Sequence, residues 1–177
     1  MSKVAELHRH MSPKILGISI ITCSTSKFEQ QKTGGRPDDK SGDIIESLVS
    51  KAGHRVERRR LISDSKPMIR REVRKVLSSR RTDALIITGG TGLSPRDVTI
   101  ESVSSVLEKE IPGFGELFRK ISYDKIGAAA MLTRAIAGSS KGKLIVCLPG
   151  SPDAVETAMR KLILPEIGHM LKFIREH

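Results

Sequence analysis

Short apolar runs alternate along this chain with longer stretches in which apolar residues recur at three- and four-residue spacing. Residues 14–22 read as a first buried strand, 84–87 as a third and 143–148 as another, each of the length and residue type of a strand covered on both faces. Residues 54–62 form a second strand, in which Val56, Leu61 and Ile62 stand among Arg55, Arg58, Arg59 and Arg60. That weak alternation places it near a sheet edge. Ile44, Ile45, Leu48, Val49 and Ala52 share one face of a helix that starts over 41–43 and is closed by Gly53. Ile69, Val73, Val76 and Leu77 do the same in a helix that Pro67 opens and Ser65 caps. Its other face carries Arg70, Arg71, Arg74 and Lys75, with Arg80 and Arg81 just beyond, and reads as a solvated surface. A further helix runs through Val98, Ile100, Val103 and Val106.

The remaining stretches are less regular. Residues 23–27 read as a hydroxyl-rich turn, and a long polar loop containing Gly34, Gly35 and Pro37 follows. Residues 112–115 read as a turn, 116–119 as a short helix and 138–142 as a turn. Residues 126–136 leave two readings open, a helix or a helix running into a strand. Asp153 opens a last helix through Val155, Ala158, Met159, Leu162 and Ile163; Pro165 interrupts it before Ile167, Met170, Leu171 and Ile174 continue. Strands alternating with helices predict an α/β fold: a three-layer α/β/α sandwich on a mostly parallel sheet. Residues 1–13 read as a mobile tail and 14–177 as one domain.

In such sheets ligands bind beyond the carboxyl ends of the strands. That rule collects Ser24 and Thr25, Asp64, the loop Thr88, Gly89, Gly90, Thr91 and Gly92, and the loop Pro149, Gly150 and Ser151 on one rim. Three glycines directly after a strand let an anionic group approach the main chain. Two familiar phosphate loops do not fit. A Walker A loop requires a Lys after the glycines, and the dinucleotide fingerprint begun at Gly90 meets Pro95 where its third Gly belongs. Asp64 and Asp97 follow different strands and can face each other across the crevice. Two carboxylates beside phosphate-binding amides and hydroxyls suit a Mg²⁺–phosphate ligand. Read alone, each Asp serves equally as a helix-terminal group.

Composition narrows the options. The net charge of +11, from 31 Lys and Arg against 20 Asp and Glu, favours anionic ligands. Aromatic residues are few and unclustered, so single-strand nucleic-acid binding by stacking has little support. A duplex-binding role rests on net charge and the basic helix face alone. No apolar run reaches the roughly 18 residues that span a bilayer. Cys23 and Cys147 have no metal-ligand spacing and read as structural thiols of a reduced, cytoplasmic chain. No His/Cys cluster suggests zinc. The remaining chemistry is transfer to or from a phosphate.

Residues 88–99, Thr-Gly-Gly-Thr-Gly-Leu-Ser-Pro-Arg-Asp-Val-Thr, resemble the signature of the MoaB/MogA molybdopterin-binding family. Ser24-Thr25-Ser26, residues 39–42, Gly53-His54, Asp64, residues 112–116, 133–138 and 148–152 match in order. The resemblance covers about residues 14–165. It implies binding of molybdopterin, a dithiolene pterin with a terminal phosphate, and adenylylation of that phosphate by Mg²⁺ and ATP. It implies Asp64 and Asp97 as the catalytic and metal-holding pair. It assigns Ser24, Thr25, Ser26, Asp39, Ser41, Gly42, the 88–92 loop and Pro149, Gly150 and Ser151 to ligand binding. It further implies a homotrimer or hexamer, with a molybdenum insertase as candidate partner. Lys27 stands where the family usually has Arg, replacing a planar fork with a point charge. The alternative reading is a protein that binds or delivers molybdopterin without chemistry.

Overall fold

The computed structural model describes residues 15–176; the expected tail over 1–13 lies outside the described residues. The strands are β1 (Gly17–Cys23), β2 (Arg55–Ile62), β3 (Ala84–Thr88), β4 (Lys109–Glu110), β5 (Ile136–Ser140) and β6 (Lys143–Leu148). They form one sheet in the order β2-β1-β3-β6-β5-β4. The pairs β1–β2, β1–β3 and β3–β6 are parallel, whereas β5–β6 and β4–β5 are antiparallel. The sheet is therefore parallel where the site rule was applied and antiparallel at one side.

The helices are α1 (Thr25–Lys32), α2 (Lys40–Lys51), α3 (Lys66–Ser78), α4 (Thr99–Ser104), α5 (Pro112–Ile126), α6 (Pro152–Ala158) and α7 (Leu164–Arg175). Successive side chains of a strand point to opposite faces, and the central strands are apolar on both. Ile18, Ile20, Ala84, Ile86, Leu144 and Val146 pack against α2, α5, α6 and α7. Ile21, Leu85, Ile87, Ile145 and Cys147 pack against Ile69, Val73, Val76 and Leu77 of α3 and Val103 of α4. Two apolar faces require two helical covers, which is the expected three-layer sandwich. Among the described residues no helix is long and apolar enough to cross a membrane.

Several expectations are corrected. The expected turn at 23–27 and the start of the polar loop after it are α1, Thr25–Lys32, which buries none of its residues and so has no apolar face to betray it. The turn at 112–115 is the first turn of the 15-residue α5, with Pro112 in the opening position that lacks a helical N–H partner anyway. The stretch 126–136 resolves into the end of α5, a 3₁₀ turn over Gly127–Leu132 and the start of β5. The expected turn at 138–142 is mostly β5; the reversal is confined to Lys141 and Gly142, both with positive φ. Pro165 does not interrupt the last helix. A π-helical segment, Met159–Ile163, leads into α7 with Pro165 in its first turn, so the proline's missing donor is accommodated.

Strand β2 is at the sheet edge, as its arginines suggested. Those arginines have internal partners. Arg58 bonds Glu72 at 2.9 Å, and Arg59 reaches Asp39, Asp43 and Glu46. Gly53 sits at φ +79 just past α2, and the N–H of His54 returns to the carbonyl of Val49.

Candidate active site

The strand order reverses between β1 and β3: the chain moves from β1 to β2 on one side, then to β3 and β6 on the other. A crevice opens at such a switch point because adjacent connections leave in opposite directions. Here it has a volume of about 560 Å³. Its lining comes from Ser24 and Lys27 after β1, Asp64 after β2, Gly89 to Gly92 and Asp97 after β3, and Pro149 and Gly150 after β6. With Leu132, Thr133 and Arg134 ahead of β5, five segments far apart in sequence meet there.

The glycine loop is shaped by close approaches. Gly89 has φ +92, and a Cβ there would fall on the carbonyl oxygen of Cys23. Its N–H donates to the Leu148 carbonyl at 3.0 Å, and its carbonyl accepts from Thr99 Oγ1 at 2.8 Å. Gly90 has φ +61; a Cβ would meet Asp64 Oδ1 at 2.6 Å. At Gly92 a Cβ would meet Asp97 Oδ2 at 2.8 Å. Both acidic side chains therefore lie against the loop, in space that only glycine leaves open.

Each acid is held by one oxygen. Asp64 Oδ2 accepts from the Thr25 N–H at 2.8 Å and from Thr25 Oγ1 at 2.9 Å. Asp64 Oδ1 is buried with no hydrogen-bond partner. An orphaned carboxylate oxygen carries a full desolvation penalty unless a cation or donor meets it. Asp97 Oδ2 accepts from the Ser94 N–H at 3.0 Å. Two half-buried carboxylates fit a Mg²⁺ ion that takes its other ligands from phosphate oxygens and water. No group of three or more acidic, His or Cys side chains among the described residues offers a metal an all-protein cage. Lys27 and Arg134 supply positive charge to the same lining.

The other expected residues divide by position. Ser24 lines the crevice and caps α1 by accepting from the Lys27 N–H. Thr25 stands behind Asp64 and holds it; Ser26 reaches Ser24 Oγ at 3.3 Å. Thr91 lines the crevice, whereas Thr88 is fully buried and donates to the Pro149 carbonyl at 2.8 Å. Ser41 donates to the Gly150 carbonyl at 2.8 Å and ties α2 to that loop. Ser151 caps α6 and faces an adjoining recess instead. Asp39 and Gly42 lie outside the lining. Asp39 caps α2 through the Gly42 N–H at 3.1 Å, and it accepts from Thr22 Oγ1 and Arg59. A Cβ at Gly42 would collide with the Asp39 carboxylate. Asp39→Ala is expected to cost about 2–3 kcal/mol, because it removes a cap and leaves the buried Thr22 hydroxyl without its acceptor. Thermal unfolding checks this, and ligand affinity in the crevice is expected to change little.

Arg134 is a charged lining residue that sequence reasoning did not single out. Its guanidinium donates to the Gly92 carbonyl at 3.1 Å and to Glu101. Partial burial would raise the Glu101 carboxyl, but the Arg134 hydrogen bond outweighs it and holds Glu101 below the usual carboxylate range. Arg134 thus braces the end of the glycine loop against α4. It follows the stretch whose structure was left open, and its membership of the matching segment 133–138 was the available signal. Cys23 also lines the crevice; burial, the largest influence, pushes its thiol up to about 12.

Residues 19–169 match the family described as a probable molybdopterin binding domain. The chain is 44% identical over 164 residues to molybdenum cofactor biosynthesis protein B of Bacillus cereus, covering 92% of this chain and 93% of that one. It is 38% identical over 167 residues to a protein of Methanocaldococcus jannaschii named probable molybdopterin adenylyltransferase, covering 94% and 99%. Its fold superposes on a crystal structure of molybdenum cofactor biosynthesis protein B with a TM-score of 0.85 at 42% identity, covering 94% and 100%. With this fold, this crevice and these relatives, the chain belongs to the MoaB/MogA molybdopterin-binding family of molybdenum cofactor biosynthesis.

Proposed function

We propose that the protein adenylylates molybdopterin. An oxygen of the ligand's terminal phosphate attacks the α-phosphorus of ATP; a new P–O bond forms, the bond to the bridging oxygen breaks, and pyrophosphate leaves. The observation that carries this reading is the pair Asp64 and Asp97 set against one glycine loop, with Asp64 Oδ1 buried and unmatched. The relative named probable molybdopterin adenylyltransferase supports the same reaction.

Asp64 and Asp97 are the residues that would hold Mg²⁺, which supplies charge neutralisation for the triphosphate when bound. The rest falls to the chain itself. The glycine loop presents main chain to phosphate oxygens, Lys27 and Arg134 offset their charge, and the crevice walls hold the two reactants in line. The thiol of Cys23, neutral at physiological pH, takes no part as a nucleophile. Exposed Leu117, Tyr123, Ile126, Met131 and Leu132 follow one another along α5 and the 3₁₀ turn. These exposed apolar side chains support self-association, and the family resemblance implies that the assembly is a homotrimer or hexamer. The product passes to a molybdenum insertase.

Purified protein given molybdopterin, Mg²⁺ and ATP is expected to release pyrophosphate and form adenylylated molybdopterin, and chelation of Mg²⁺ is expected to stop it. A second reading, binding and delivery without chemistry, draws on Lys27, whose point charge lacks the bidentate fork of Arg. Tight molybdopterin binding with no pyrophosphate release would favour that reading.

A further inference from the structure

Glu101 stands on α4, outside the crevice lining, and the transfer chemistry derived above does not use it. It reaches the crevice through Arg134. One terminal nitrogen of that guanidinium donates to the Gly92 carbonyl at 3.1 Å, and the other donates to Glu101. Gly92 and Glu101 bracket the segment that carries Asp97. Between them, the Thr99 N–H donates to the Gly90 carbonyl at 2.9 Å and the Thr99 hydroxyl to Gly89 at 2.8 Å. A cation from ahead of β5 thus joins the two ends of the Asp97 segment.

Arg134 also competes with any metal where it stands. It shares the crevice with Asp64 and Asp97. Gly92 adjoins both Arg134 and Asp97, since a Cβ there would meet Asp97 Oδ2 at 2.8 Å. A guanidinium and a carboxylate readily form a bidentate pair. Such a pair between Arg134 and Asp97 would occupy the oxygens that a divalent cation needs. The Gly92 carbonyl is a neutral acceptor and holds a guanidinium less firmly than a carboxylate does. Glu101 supplies the firmer hold. The two side chains are 29% and 42% exposed, so their ion pair adds little to the stability of the fold. Its main consequence is where the guanidinium sits.

We propose that Glu101 is a positioning residue: it holds the Arg134 guanidinium on the Gly92 carbonyl and off the Asp64–Asp97 pair, which stays open to a divalent cation. The N–H groups of Arg134 not taken by Gly92 and Glu101 remain for a phosphate oxygen entering the crevice. This rests on the proposed function, and metal binding reads it apart from turnover.

The test is titration of the protein with Mn²⁺, read by loss of the free-ion electron paramagnetic resonance signal. Glu101→Gln is expected to weaken Mn²⁺ binding about tenfold, the scale of losing a group that orients the surroundings of a metal. Glu101→Gln combined with Arg134→Ala is expected to bind within about twofold of Arg134→Ala alone, because the competing cation is gone. A general loss of fold is not relieved by a second truncation, so the double variant decides the matter should Glu101→Gln lower the melting temperature. In turnover, the Mg²⁺ concentration for half-maximal pyrophosphate release is expected to rise in Glu101→Gln and to fall back in the double variant. Wild-type Mn²⁺ affinity in Glu101→Gln would overturn the inference, and so would a double variant as weak as Glu101→Gln; the proposed reaction would stand in both cases. A wild type that binds Mn²⁺ but releases no pyrophosphate would remove the reaction, and the metal titration would still decide the inference. A wild type that binds no Mn²⁺ would remove the inference together with the metal-holding role of Asp64 and Asp97.

Discussion

Asp97→Asn is expected to lower adenylyl transfer roughly 100- to 1000-fold, the loss typical of removing one electrostatic group from a transition-state site. The fold is expected to survive. Asp97 is anchored through Oδ2, which accepts from the Ser94 N–H at 3.0 Å, and an Asn oxygen can accept the same bond. What disappears is the negative charge beside Gly92. Molybdopterin binding is expected to persist while turnover fails, and the Mg²⁺ concentration needed for half-maximal rate is expected to rise. Asp64→Asn is expected to act in the same direction. There the amide places either a donor or a neutral oxygen at the buried Oδ1 position, where the carboxylate meets Gly90 and has no protein partner. Steady-state rates with unchanged thermal melting check both variants. A wild-type rate in Asp97→Asn would remove that residue from the reaction.

Gly89→Ala is expected to destabilise the fold by about 3 kcal/mol or more and to abolish activity with it. The φ of +92 already disfavours any side chain, but conformation alone is a minor part. The new Cβ would land on the Cys23 carbonyl oxygen, a backbone atom that cannot swing aside. Nor can residue 89 retreat, since its N–H is bonded to Leu148 and its carbonyl to Thr99. Gly34 provides the control. Its φ is +85, yet nothing lies within 4 Å of a Cβ there. Gly34→Ala is expected to cost only about 1 kcal/mol. Chemical denaturation of the two variants separates the steric effect from the conformational one.

The strands legible in the sequence were those that the fold buries on both faces. Ile18, Ile86 and Val146 belong to one core and Ile21, Ile87 and Cys147 to the other, so their strands appear as continuous apolar runs. The edge position of β2 was legible because its positions are mostly part-exposed, and its arginines reach carboxylates from both faces of the sheet, Arg58 to Glu72 and Arg59 to Asp39 and Glu46. Strand β5 was not. Its sequence Ile-Ala-Gly-Ser-Ser has Ile136 as its one branched residue, and at Gly138 there is no room for a side chain: a Cβ there would meet the Lys109 carbonyl at 2.5 Å. Helix α1 escaped notice because it covers no core.

The crevice was legible because parallel strands deliver their carboxyl ends to one side of a sheet, so knowing the strands located the loops. The finer division was not. Whether a hydroxyl or carboxylate at a loop faces a ligand or closes its own helix depends on a rotation that spacing does not encode. Asp39 turned to its helix, to Thr22 and to Arg59. Asp64 turned to the glycine loop.

The raised thiol of Cys23 bears on the safety of a sulfur-bearing ligand. Disulfide exchange and oxidation to sulfenic acid both begin from a thiolate. A thiol that ionises only near pH 12 supplies almost none at neutral pH. A dithiolene bound in the crevice would therefore meet, in Cys23, a sulfur that is near at hand and unreactive, and the two sets of sulfur atoms would remain chemically separate.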